Sequence, residues 1–193
     1  MAHPPLSLSC QCNKVTASIA PISPKVANHL VCYCRDCQQF AHALKRTDDV
    51  LNAYGGTEIV QVPIADFNVL DGEEHIACLK LSDKGLHRWY AKCCNTPIGN
   101  TLSASWPFIG VIRSFINDQA LDEKAGTIKG SVHLKDATGL VPDELLGPQG
   151  HKRLMLATLV KLACWKLKQK HTPNCLFNKD GTPIVTPHIH QAH

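Results

Sequence analysis

The chain has 193 residues, 44% of them hydrophobic and 19% charged, which is enough for a real core and excludes a disordered polymer. No run approaches the roughly 18 apolar residues of a spanning helix, and the start "MAHPPLSLSC" lacks a basic, apolar leader. The net charge of +4 is unevenly placed: residues 151–171 carry Lys152, Arg153, Lys161, Lys166, Lys168 and Lys170 and no acid, so a nucleic-acid partner would rest on one segment alone.

Short extended segments dominate the first two-thirds. "LSLSC" and "KVTASIA" alternate apolar and polar residues, as half-buried strands do. "CQQFAHALKR" reads as a short helix, "TEIVQVPI" as a β-branched strand ending at Pro63, and "FNVLDG" as a further extended piece. "HIACLKLS" and "LHRWYAK" read as paired strands around the turn "SDKG", and "FIGVIRSF" as another apolar strand. No internal repeat occurs, and strands do not alternate with long helices, which excludes a doubly wound parallel sheet.

The character changes after residue 137. Pro142 and Asp143 suit a helix start, Gly147, Pro148 and Gly150 break it, and a longer helix is expected from His151 to about Lys170. Leu156, Leu159, Val160, Ala163 and Leu167 recur near helical spacing and predict its packed face, with lysines elsewhere. The tail "TPHIHQAH" reads as loose. The expected division is a β domain over 1–137 and a helical extension with tail over 138–193.

Ten cysteines need a cause. Without an export signal, C-x-C at 10–12 and C-x-C-x-x-C at 32–37 point to metal ligation rather than disulfides. Residues i and i+2 of a strand share a face, so Cys32 and Cys34 converge, and a turn through Arg35 and Asp36 returns Cys37 to them. Three thiolates around zinc leave one tetrahedral position open, as catalytic sites do; a closed structural site would instead draw a fourth ligand from His29, His42, His75 or a distant cysteine. Cys10 and Cys12 form a second same-face pair that needs distant partners. "YAKCCNTPIGN" supplies Cys94 as the preferred ligand and Cys93 as either a substitute fourth ligand or a buried thiol, because consecutive extended residues point oppositely unless a turn at Asn95–Pro97 intervenes. Cys78 and Cys164 read as core residues, and Cys175 has no motif.

Together, "LSCQCNKV", "CYCRDCQQF" and "LSDKGLHRWYAKCCNTPIGN" resemble the glutathione-dependent formaldehyde-activating enzyme and centromere protein V family over about residues 6–112. Ser82, Gly85, Arg88, Tyr90, Cys94, Thr96 and Pro97 fall into that family's second motif. The resemblance implies a mainly β, zinc-stapled β-tent of short antiparallel strands. It also implies structural zinc at Cys10, Cys12 and Cys94, and a catalytic zinc at Cys32, Cys34 and Cys37. The implied activity is that of a carbon–sulfur lyase joining formaldehyde to a glutathione-like thiol. Departures are visible: Ala91 replaces one family cysteine, Asn13 stands at a family glycine, and Phe40, Ala41 and His42 replace small residues. Arg35, Lys45, Arg46 and Arg88 are candidate cations for a substrate's carboxylates. The competing reading is a noncatalytic zinc-stabilised module whose basic C-terminal helix docks on nucleic acid or anionic lipid. The expectations are a cytoplasmic protein with zinc, a small-molecule thiol partner, no membrane partner and no nucleic-acid partner.

Overall fold

The computed structural model describes residues 4–190. In chain order it forms β1 (Leu6–Ser9), β2 (Thr16–Ile19), β3 (Asn28–Cys32), α1 (Arg35–Ala43), α2 (Thr47–Val50), β4 (Thr57–Pro63), β5 (Phe67–Asp71), β6 (Ile76–Lys80), β7 (His87–Ala91), β8 (Thr96–Thr101) and β9 (Phe108–Ile112). There follow α3 (Leu121–Ala125), β10 (Ser131–Val132), α4 (Asp143–Leu146), α5 (His151–Leu167) and β11 (His188–Ile189). The architecture is mainly β, as the sequence predicts: a three-stranded sheet β1-β2-β5 and an eight-stranded sheet β10-β3-β4-β9-β8-β7-β6-β11, with no closed barrel.

The alternation in "LSLSC" and "KVTASIA" sets the small sheet. Leu6 pairs with Ile19 and Leu8 with Ala17, and all four side chains are buried. They enter one core with Val60 and Val62 of β4, Ile109 and Val111 of β9, Trp89 of β7 and Phe115. The buried Trp89 indole donates to Thr101 Oγ1 at 2.8 Å, so its burial leaves no orphaned donor.

Strands β3, β4 and β9 also present their opposite faces to a second cluster. Leu30, Cys32, Ile59 and Ile112 there meet Cys37 and Ala41 of α1, Val50 of α2 and Leu154 of α5. This layer places a cysteine group between sheet and helix. One glycine fixes how closely the first cysteine knuckle lies on the small sheet. Gly72 has φ +79°, and a Cβ there would stand 1.9 Å from the Lys14 carbonyl oxygen.

The C-terminal third departs from expectation in three ways. The helix forms, but the row Leu156, Leu159, Val160, Ala163 and Leu167 is exposed. The packed row holds Leu154, Thr158, Lys161 and Trp165: Thr158 Oγ1 accepts from Asn28 Nδ2 at 2.7 Å, and Lys161 Nζ donates to the Ala27 carbonyl at 2.6 Å. Both rows have helical spacing, and hydrogen bonds to β3 and the segment before it favour the less apolar one. Cys164, expected in the core, lies on the exposed side. Part of the tail read as loose is a strand: His188 and Ile189 pair in parallel with Leu79 and Lys80, while residues 191–193 lie outside the described residues.

Candidate metal centres

Two cysteine groups gather their sulfurs, each with all Sγ atoms within 4.8 Å of one another. The first joins Cys10 and Cys12, just after β1, to Cys93 and Cys94, in the turn between β7 and β8. Four of its sulfur–sulfur edges are 3.6 Å for Cys10–Cys12, 3.8 Å for Cys10–Cys93, 3.3 Å for Cys12–Cys93 and 3.8 Å for Cys93–Cys94. A metal with sulfur bonds of about 2.3 Å in tetrahedral geometry needs sulfur–sulfur edges of about 3.8 Å. The four thiols therefore fit such an ion nearly as they stand.

Local backbone explains how neighbouring cysteines share one site. Asn13 and Asn95, each following a cysteine, adopt φ 58° and 55° in the left-handed region that asparagine tolerates better than most residues. The turn at Asn95 lets Cys93 and Cys94 face the same point, and Asn13 serves where the resembling family carries glycine. Cys93 thus joins Cys10, Cys12 and Cys94, and Ala91 lies buried in β7.

Two residues brace this group. Thr96 Oγ1 lies 3.1 Å from Cys94 Sγ and accepts from the Gln11 amide at 3.1 Å, linking both knuckles. Arg46 donates to Gln11 Oε1 at 2.6 Å, to the Cys94 carbonyl at 2.9 Å and to Asp49 Oδ1 at 2.9 Å. It is a clamp across the site rather than a cation left over for a substrate. Although burial opposes ionisation, hydrogen bonds from the Thr96 hydroxyl and nearby amides bring the Cys94 thiol down to about 6, while burial and neighbouring thiols push Cys93 up.

The second group is Cys32 at the end of β3, Cys34 at the N-cap of α1 and Cys37 in its first turn. Cys37 returns by helix, not by a free turn. Thiols from Cys32 and Cys37 hydrogen-bond Cys34 and hold it down to about 2; the same bonds, with burial, push Cys32 far up. One shared negative charge is what three crowded thiols adopt without a cation, and it is the arrangement a divalent metal would replace.

Among the described residues, no fourth Cys, His, Asp or Glu ligand atom joins this triad. His29 is engaged elsewhere: its ring nitrogens meet the Gly126 carbonyl at 2.7 Å and Glu58 Oε1 at 2.8 Å. His42 is exposed on α1, and His75 stands 3.5 Å from Glu74. Thr57 faces Cys32 across the β3–β4 pairing, fully buried, with its hydroxyl lacking a hydrogen-bond partner. An orphaned hydroxyl on the residue paired with Cys32 fits a site that receives another polar group.

Arg88 completes the triad's surroundings. It is buried in β7, with Nη2 3.3 Å from Asp36 Oδ2, Nη1 3.3 Å from Asn100 Oδ1 and its guanidinium 5.5 Å from the Phe40 ring centroid. Its charge favours ionised Cys34 and Cys37. Its place is against the triad, not free for a substrate carboxylate. The half-buried Cys34 lines a cavity of about 540 Å³ with Arg35, Asp36, His133, Lys135 and Asp136. Of these only Arg35 was among the sequence candidates. His133 and Lys135 lie outside the recognisable motifs and come to the site because β10 pairs beside β3.

A family model described as "Family of unknown function (DUF6151)" matches residues 3–186, a span that includes both cysteine groups and α5. The chain belongs to the DUF6151 family. A search of curated proteins finds no match. Among solved structures, a crystal structure of a Rhodobacter sphaeroides protein, a structural-genomics target, is similar at TM-score 0.43 and 12% identity, covering 58% of this chain and 88% of that one. Likeness of that order carries no argument about activity. The described helices include none long and apolar enough to cross a membrane.

Proposed function

We propose that this DUF6151 member is a zinc protein with two unequal sites. Cys10, Cys12, Cys93 and Cys94 hold a structural zinc, and Cys32, Cys34 and Cys37 hold one whose fourth position takes an exogenous thiol. The observation that carries this reading is the gathering of three thiols with no fourth ligand atom among the described residues, at a cavity reached by Cys34. When bound there, zinc supplies a Lewis acid that favours the thiolate form of a thiol at neutral pH.

The resemblance to formaldehyde-activating enzymes extends the reading to thiol–aldehyde chemistry. The thiol sulfur attacks the aldehyde carbon, a carbon–sulfur bond forms, and the carbonyl electron pair moves to oxygen, which takes a proton. The reverse step releases aldehyde and thiol. This chain's residues bind and orient. Lys135 and His133 at the cavity attract a carboxylate of a glutathione-like thiol, Arg35 is shared with Asp136 Oδ1 at 3.4 Å, Arg88 offsets part of the negative charge of the three thiolates, and Thr57 offers a hydroxyl on the residue paired with Cys32.

The test is an exchange-NMR measurement of S-hydroxymethyl adduct formation from formaldehyde and glutathione, with the zinc-loaded chain and its Cys34→Ala variant. Acceleration that Cys34→Ala abolishes is expected. A rate equal to the spontaneous reaction removes this substrate pair from the reading.

A further inference from the structure

The exposed row on α5 is unexplained by either metal site. Leu156 is 64% exposed, Leu159 58%, Val160 55% and Leu167 85%, with Met155 and Ala163 also at the surface. At 100° per residue they form one continuous stripe along a helix about 25 Å long. Cations accompany that stripe: Lys166 lies along one edge and Arg153 along the other, Lys152 lies on the stripe itself at its N-terminal end, and Lys168 is just beyond the C-terminus. The stripe continues past the helix to Trp106, 40% exposed, which with Pro107, Leu159, Leu162, Ala163 and Lys166 lines an apolar hollow of about 370 Å³. Lys166 Nζ donates to the Ser105 carbonyl, fixing the loop that carries Trp106 beside the helix.

We infer that this face docks on an anionic lipid surface, lying in the headgroup plane with its leucines and Trp106 inserted. Leucine and tryptophan on one face, basic residues along its edges and no acid between 151 and 171 are the pattern that interfacial helices share. The helix is apolar on both sides because one row packs on the protein and the other meets the bilayer. It does not span: the described helices include none long and apolar enough to cross. Charge decides among occupants. Pairing with a second copy would set Lys152, Arg153 and Lys166 against the same cations. Nucleic acid would use the lysines but gives no reason for four exposed aliphatic side chains between them. The expectation of no membrane partner assumed that this row packs inward, and its exposure removes that premise. The inference is independent of the metal-site reading.

The experiment is sedimentation of the full, zinc-loaded chain with phosphatidylcholine vesicles, with and without phosphatidylglycerol. Binding to the anionic vesicles, weakened by added salt, is expected. The Leu156→Asp/Val160→Asp double variant should lower partitioning by about tenfold or more, and Lys152→Glu/Arg153→Glu should remove the preference for phosphatidylglycerol. These side chains are exposed, so zinc content and circular dichroism should stay unchanged and separate lost docking from lost fold. Equal binding to both vesicle types, or binding that the double aspartate variant retains, overturns the inference. A dimer in solution that the same variant splits, with no protein on vesicles, assigns the face to a second copy instead. DNA binding without vesicle binding overturns it as well.

Discussion

Cys93→Ala and Cys37→Ala should cost different amounts of stability, and the difference follows from chain connectivity. Cys10 and Cys93 lie 83 positions apart, so a metal that ties them removes much of the unfolded chain's freedom. Treated as a crosslink that each variant loses together with its metal, closure of that loop contributes about 4.6 kcal/mol, whereas closure between Cys32 and Cys37, five positions apart, contributes about 2 kcal/mol. Cys37 is the more buried thiol, and its truncation adds roughly 1 kcal/mol of lost packing. The remaining gap of about 1.6 kcal/mol corresponds to about 3–6 °C in melting temperature for a chain of this size. The assay is thermal melting of the zinc-loaded wild type and both variants, with metal per chain measured on the same samples. The four-thiol variant should melt lowest, and a strong chelator should lower the wild type below either. Cys37→Ala melting at or below Cys93→Ala would refute the division of labour, as would a metal-stripped wild type that melts unchanged.

Three further outcomes follow from the sites' surroundings. Arg46→Ala should destabilise the chain by about 1.5–3 kcal/mol in urea unfolding, because it strips charge-assisted hydrogen bonds from Gln11 and the Cys94 carbonyl; an unchanged midpoint would show that Arg46 is no clamp. Arg88→Met should lower zinc content from two per chain toward one, with the triad emptied first, since a buried −1 site loses its counter-charge; retention of both metals would count against charge balancing. Burial opposes charge on His29, but the Glu58 carboxylate, the Gly126 carbonyl and Asp122 raise its pKa overall. Its ionic contribution is therefore complete below about pH 6.5 and is lost as pH rises through the higher folded value, so the urea midpoint should fall across that window and His29→Gln should flatten the fall.

Much of the site is legible in the cysteine spacing. C-x-C in the turn just after a strand and C-x-C-x-x-C at a strand–helix junction each place thiols together without help from distant residues, so Cys10 with Cys12, and Cys32 with Cys34 and Cys37, could be grouped before any fold was known. Cys93 could not be decided, because strand alternation sets it opposite Cys94 and only a left-handed Asn95 reconciles them. The bracing groups were less visible still. Arg46 and Arg88 read as candidate cations for a substrate because their partners, Gln11, Asp36 and Asn100, are remote in sequence. On α5, periodicity offered two rows, and hydrophobicity selected Leu156 to Leu167 as the buried one. The hydrogen bonds of Thr158 and Lys161 to Asn28 and Ala27 reversed that choice, and no pattern within the helix encodes those partners. The strand at His188–Ile189 is held by backbone pairing to an edge, to which side-chain pattern contributes little.

The two cysteine groups differ in charge as well as in number, and that difference ties the fold to the proposed chemistry. Four thiolates around a divalent ion carry −2 and satisfy its tetrahedral demand, which suits a staple joining the end of β1 to the β7–β8 turn. Three thiolates carry −1, and β7 brings one buried guanidinium, Arg88, to meet them. Asp36 shares that guanidinium at 3.3 Å, yet a locally built −1 site can still accept a further anionic ligand at lower electrostatic cost than a site already at −2. Cys34 is the only half-buried thiol of the three and the one that lines a cavity. Under the proposed function, approach of a thiol is directed to the triad and away from the staple, even though the staple's Cys12 is the more exposed sulfur.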